Sequence, residues 1–210
     1  MKVGSHKIKT RNLIITGIVV SVGFILTSVI KSGLQDRYAQ DIISYRQQKD
    51  KHFKTSEESP IEDQPGFKEL QYFEPDKKYR VKPLLLLIKD SSFVKINNND
   101  GEKNTYWRYA HAVFTIDKET DTLIVYRKKS LSLEDKNYFL PFFDATNGDE
   151  TYDGGRYIDL EIRDTSALIL DFNLAYNPYC VYNYRFSCPI PPKENKLERR
   201  IEAGEKVYYK

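Results

Sequence analysis

The 210-residue sequence is poor in the residues that most often carry chemistry. It has two cysteines, three histidines, one methionine and one tryptophan. With only His6, His52 and His111 to add to two cysteines, a four-ligand structural zinc site is not expected. No G-x-S-x-G, no G-x-x-x-x-G-K and no strand-following G-x-G-x-x-G occurs, nor any His–Glu metal pattern. Neither a hydrolase elbow nor a nucleotide cradle is therefore read, and no cofactor or metal is expected. Acidic residues are missing from positions 1–31, which hold Lys2, Lys7, Lys9, Arg11 and Lys31. The rest lacks a basic excess, with 28 basic against 30 acidic residues. The formal charge of +3 thus belongs to the N-terminus, and no nucleic-acid partner is expected.

Long apolar runs are equally scarce. The single one, residues 13–30 (LIITGIVVSVGFILTSVI), excludes a polytopic membrane protein. As a helix its eighteen residues span about 27 Å, close to the hydrocarbon thickness of roughly 30 Å. Basic residues precede it, so the positive-inside rule puts residues 1–12 in the cytoplasm and the body across the membrane. A cleaved signal peptide is the competing reading. The run is long for one, and SVIKS is a poor cleavage pattern. No cysteine lies near its end, so a lipoprotein anchor is excluded.

Aromatics are plentiful, at 13%, with 16 Tyr and 11 Phe. After Ser32-Gly33, residues 31–55 read as an amphipathic helix with Leu34, Tyr38, Ile42, Tyr45 and Phe53 near helical spacing. It is a stalk, a packing helix or a partner-binding helix. Residues 56–66 (SEESPIEDQPG) read as a linker. From residue 67 the period becomes two. Strands are expected at 67–73, 79–88, 93–96, 103–116, 122–127, 156–162, 167–172, 181–186 and 207–209. Asn98-Asn99-Asp100-Gly101 is a hairpin signal, and residues 117–121 form a second turn. The expected fold is mainly β, an antiparallel sandwich or small barrel over residues 67–210, preceded by the transmembrane and amphipathic helices.

Residues 144–159 are dense in Gly, Asp and Thr. Arg156 with Asp144 and Asp159 is either an internal Arg–Asp staple or an anion site. Asp149, Glu150 and Asp153 offer oxygen ligands for calcium, without EF-hand spacing. Cys180 and Cys188 have seven residues between them. In an exported body they pair most simply as a disulfide. Free thiols, or a Cys180–His111 nucleophilic dyad, remain open.

The segments PFFDATNGDETYDGGRYIDL, DFNLAYNPYCVYNYRFSCPIPPKEN and IEAGEK resemble the bacterial domain-of-unknown-function family numbered 1684. The likeness runs from about residue 38 to residue 210. The anchor lies outside it. The resemblance implies no reaction, but it marks the positions that match its motifs: Asp144, Thr146, Gly148, Thr151, Tyr152, Gly155, Arg156, Tyr157 and Asp159. In the second motif they are Asp171, Asn173, Tyr176, Asn177, Cys180, Cys188 and Asn195. Many are polar groups that a β core does not need for packing. The expectation is a bacterial inner-membrane protein with its C-terminal domain periplasmic or extracellular. Its pocket would take a small polar or anionic ligand, lined by Asp144, Arg156, Tyr157, Asp159, Asp171, Asn173, Tyr176, Asn177, Cys180 and Asn195. The alternative is a hydrolase using Cys180 or an Asp pair. A protein partner is not predicted.

Overall fold

The computed structural model describes residues 33, 36–89, 93–128 and 137–208. The expected span at 13–30 lies outside them. Among the described residues, no helix is long and apolar enough to cross a membrane. The chain divides into two units between Asp41 and Ile42. Every described strand belongs to the second unit.

Helix α1 covers residues 36–55, as the apolar spacing predicts. The strands are β1 Arg80–Val81, β2 Leu84–Leu87, β3 Phe93–Asn97, β4 Lys103–Ile116, β5 Glu119–Lys128, β6 Asn137–Phe142, β7 Arg156–Glu161 and β8 Leu170–Asp171. One six-stranded antiparallel sheet runs β2-β4-β5-β6-β7, with β3 also pairing β4. A two-stranded ribbon joins β1 to β8. Among the described residues the six-stranded sheet does not close, so the expected small barrel is corrected to antiparallel sheets that stay open.

The hairpins follow turn chemistry. Gly101 has φ +89° in the β3–β4 turn, and Asp117 and Lys118 have φ 50° and 71° between β4 and β5. Two successive positive φ values suit the right-handed twist of a two-residue hairpin. Other expected strands fail for identifiable reasons. Residues 79–88 are split at Lys82-Pro83, where proline has no N–H to give a ladder. Residues 67–73 keep only a bridge from Tyr72 to Glu205. Residues 181–186 begin in the 3-10 turn Tyr179–Val181 instead of a strand. Strand β6, with Pro141 inside it, escaped the sequence reading.

Alternation sorts β5, β6 and β7 into two faces. Leu123, Val125, Tyr138, Leu140, Phe142, Ile158 and Leu160 enter the main core with Phe172, Leu197 and Ile201 from the covering chain. Ile124, Tyr126 and Phe139 face the other way, with Ile96 and Tyr106. In β4 the register shifts between Arg108 and Ala110. This bulge reverses the side-chain parity: Ala110, Ala112 and Phe114 enter or border the main core, while Tyr106 turns to the second face. A third cluster ties α1 to the loops through Phe53, Ile61, Phe67, Leu70 and Tyr182.

Candidate functional site

The second face of the sheet is the floor of a cavity of about 550 Å³. Register sets its rows. Arg108 lies opposite Tyr126, Tyr126 opposite Phe139, and Phe139 opposite Asp159. Tyr106 lies opposite Lys128 in the neighbouring row. Of these, Tyr106, Lys128, Phe139 and Asp159 line the cavity with Tyr157. Helix α1 supplies Tyr45, Lys49, His52 and Phe53 from one face, at i, i+4, i+7 and i+8. Tyr176, Tyr179 and the segment from Phe186 to Pro189 complete the wall.

The helix is held there by named bonds. Arg46 donates to the Phe73 carbonyl at 2.8 Å and lies 4.4 Å over the Tyr72 ring. Asp50 accepts from the Leu70 amide at 3.1 Å. Lys49 pairs with the buried Glu205 carboxylate and sits 4.8 Å from the centroid of Tyr176. Glu205 also accepts from the Asn177 amide at 2.8 Å and the Tyr182 hydroxyl at 2.5 Å. Burial of Tyr182 pushes its phenol well up, and the Glu205 charge adds to it. That hydroxyl is therefore a donor at any physiological pH.

Inside the cavity, the Tyr176 hydroxyl donates to Asp159 at 2.8 Å. Asp159 reaches solvent through the cavity mouth, but the walls strip part of its hydration. That desolvation raises its pKa above the ordinary 3.8, against the lowering effect of the Tyr176 bond and of Lys49. Tyr157 donates to the Pro189 carbonyl and packs edge-on against Phe139, with centroids 4.7 Å apart. Its phenol is also pushed far up by burial. Lys128 has no ion-pair partner among the described residues. The walls are thus aromatic, with a carboxylate–phenol pair and cationic groups set into them. Such a surface binds planar groups by stacking and orients them by a few polar contacts.

Only part of the expected site is here. Tyr157, Asp159 and Tyr176 line the cavity together with Cys188. Asp144, Arg156, Asp171, Asn173, Asn177, Cys180 and Asn195 do not, and Cys188 was expected only as the disulfide partner of Cys180. Arg156 and Asp144 pair at 2.6 Å with both side chains fully buried. Arg156 also donates to the carbonyls of Ala203, Ile201 and Glu205. Burial draws its pKa down, and the Asp144 carboxylate opposes that. Asp144 accepts from Thr146 N and Oγ1 at 2.8 and 2.6 Å. The expected anion site at Arg156 is therefore corrected: its guanidinium is spent on an internal staple.

The asparagines act as substitutes for backbone. Asn195 accepts from Ile124 N at 2.7 Å and donates to Ile124 O at 2.8 Å and Pro141 O at 2.7 Å. Asn173 does the same with Asp76 N and O at 2.9 and 2.8 Å, and Asn177 donates to Lys206 O at 2.8 Å. Asp171 accepts from Asn173 N at 3.0 Å and faces Arg80 at 3.6 Å. The asparagines thereby tie irregular chain segments to backbone groups elsewhere in the domain.

Asp144, Asp159 and Asp171 occupy three separate environments, so no Asp pair is formed among them. The calcium reading fails too: Asp149 and Glu150 are paired with Arg200, and among the described residues no three metal-ligating side chains gather. Both cysteines are free, so the expected Cys180–Cys188 disulfide is not formed here. Nor does any hydrogen bond or ring contact join His111 to Cys180. His111 lies in β4 opposite Leu86 and Ile124. The two thiols are nonetheless adjacent. The Cys180 amide donates to Cys188 Sγ at 3.2 Å. The Cys180 S–H bond draws Cys188 down to about 7, against burial, and the amides of Cys180 and Tyr179 add to it. The same bond, and then burial, pushes the Cys180 thiol up. Lys49, His52, Lys128 and Glu205 were missed in the sequence; only the helical spacing of Tyr45, Lys49 and His52 offered a signal.

Fold and site together define an open antiparallel β domain with an aromatic, partly charged cavity roofed by one helix. The chain belongs to the family described as "Protein of unknown function (DUF1684)", whose model matches residues 65–206. It is similar to an uncharacterized protein of Haloarcula marismortui solved by solution NMR, at 37% identity and a TM-score of 0.63. That match covers 81% of this chain and 95% of the other. No curated protein matches it.

Proposed function

We propose that the chain is a membrane-anchored, extracytoplasmic binding module whose cavity holds a small polar or anionic ligand with a planar apolar body. The observation that carries this reading is the cavity itself. Its volume of about 550 Å³ lies within the common range of ligand pockets, roughly 300–1,000 Å³. Phe139, Tyr157 and Tyr106 offer ring faces and edges for the body of the ligand. Lys128 and His52 favour a negative group, and Asp159 accepts from a ligand hydroxyl or amine. The buried polar set of Asp144, Arg156, Asp171 and the three asparagines instead stiffens the frame around this floor. Export and anchoring rest on the apolar run 13–30 and the basic residues before it.

The test uses 4-hydroxyphenylacetate, which combines a ring, a hydroxyl and a carboxylate. Saturation-transfer NMR should show contact with the wild-type protein. Phe139→Ala should weaken binding by about tenfold, and Lys128→Ala should weaken it for the acid but not for the neutral amide. Equal binding to wild type and Phe139→Ala would place the ligand elsewhere. Protease treatment of intact spheroplasts checks the topology: the body should be digested, and protection of it would remove the export half of the proposal.

A further inference from the structure

We propose that Cys188 and Cys180 form a redox-active dithiol opening on the cavity, which exchanges with small organic disulfides. Cys188 is the attacking sulfur and Cys180 the resolving one. This goes beyond ligand binding and does not depend on it.

The roles follow from position. Cys188 is part of the cavity wall, whereas Cys180, in the 3-10 turn Tyr179–Val181, does not line the cavity and is partly exposed elsewhere. A thiol exchanges as its thiolate, and a thiolate is stabilised by hydrogen-bond donors aimed at the sulfur. Cys188 Sγ accepts from the Cys180 amide at 3.2 Å and opens on the cavity, whereas Cys180, whose sulfur is also supported by the amides of its own turn, does not line the cavity. The asymmetry names the nucleophile. The backbone of Cys188 is fixed on both sides by Asn99, whose side chain accepts from its amide at 2.7 Å and whose amide donates to its carbonyl at 3.0 Å. Ile190 N then bonds Asn97 O at 2.8 Å. The attacking sulfur is thereby held on the β3 hairpin.

The charges around it are few. Asp100 opposes the thiolate, and the phenols of Tyr106, Tyr152 and Tyr157 face the same pair of sulfurs. Those phenols stay protonated at neutral pH, so they add no negative charge there. The cavity offers aromatic surface to the organic substituents of a disulfide, which a peroxide would not use.

The chemistry balances. The Cys188 thiolate attacks one sulfur of R–S–S–R, forming Cys188–S–S–R and releasing RS⁻. Cys180 loses its proton to solvent and attacks the Cys188 sulfur. The Cys180–Cys188 bond forms and a second RS⁻ leaves, taking up a proton. The dithiol is oxidised by two electrons and the small disulfide is reduced to two thiols.

The experiment uses the full chain, reduced and freed of reductant, with bis(2-hydroxyethyl) disulfide at pH 7. Samples are quenched in acid, alkylated and mapped by mass spectrometry. Wild type should lose two hydrogens between the two cysteine peptides and keep no adduct. Cys180→Ser should trap the hydroxyethyl adduct on Cys188. Cys188→Ser should react at Cys180 at least about tenfold more slowly, the deficit expected of a sulfur that does not open on the cavity where the disulfide binds. Comparable reaction of the two single variants would overturn the assignment. So would a wild-type Cys188 that reacts no faster than in the urea-unfolded chain. Should a variant fail to fold, as circular dichroism shows, the wild-type pH profile of iodoacetamide labelling decides instead. Cys188 should reach half-maximal rate at about 7, with Cys180 lagging far above it; the reverse order refutes the roles.

Discussion

Arg156 and Asp159 lie three residues apart in β7 and end in opposite settings. Arg156 points with Ile158 and Leu160 into the main core, where Asp144 and three carbonyls take up its two terminal nitrogens. Asp159 points with Tyr157 to the second face, where it meets one phenol and open space. The contrast shows how one sheet separates construction from recognition. Polar groups on the core face must be saturated, because an orphan there costs several kcal/mol. Polar groups on the cavity face keep spare capacity, because water or a ligand can complete them.

Breaking each side tests that separation. On the core face, Asp144→Ala leaves the Arg156 charge buried with no counter-charge. It should cost about 3–5 kcal/mol in urea unfolding, if the chain folds at all. Asn195→Ala removes three bonds to the backbones of β5 and β6 and should cost roughly 2–3 kcal/mol. On the cavity face, Phe139→Ala should cost about 1–2 kcal/mol, since its ring is only partly buried, while sharply reducing probe binding.

The smallest effect has the opposite sign. Asp159 has a folded-state pKa above its unfolded value of 3.8. The folded protein therefore keeps that proton to higher pH, and stability falls as pH rises from about 3.8 through the folded pKa. Asp159→Asn removes this penalty. The variant's melting temperature should exceed wild type at pH 7 and converge with it below the unfolded pKa. A variant less stable at pH 7 would show that the Asp159–Tyr176 bond outweighs the desolvation.

Legibility in the sequence tracked the range of the interaction. The β3–β4–β5 meander was readable because alternation and the Asn-Asp-Gly and Asp-Lys turns act between near neighbours. The helix was readable for the same reason. Strand β6 was not, because Pro141 disguises it and its ladder to β7 is supplied from elsewhere in the chain. Within the site, Tyr157, Asp159 and Tyr176 were found, but in company with residues that proved to be staples. An Asn that grips a distant backbone and one that awaits a ligand have the same local sequence.

Read alone, the chain determined its mainly antiparallel β character, the helix before it, the balance of charge in the body and its family. Those depend on periodicity, turn chemistry and composition, which act over a few residues. The tertiary structure decided which polar groups are sealed and which face open space. A one-residue bulge in β4 turned Tyr106 toward the cavity, Glu205 reached back across the whole domain to hold Lys49, and the approach of residue 188 to residue 180 made two sulfurs unequal. Each is set by contacts between distant segments, and no local pattern encodes them.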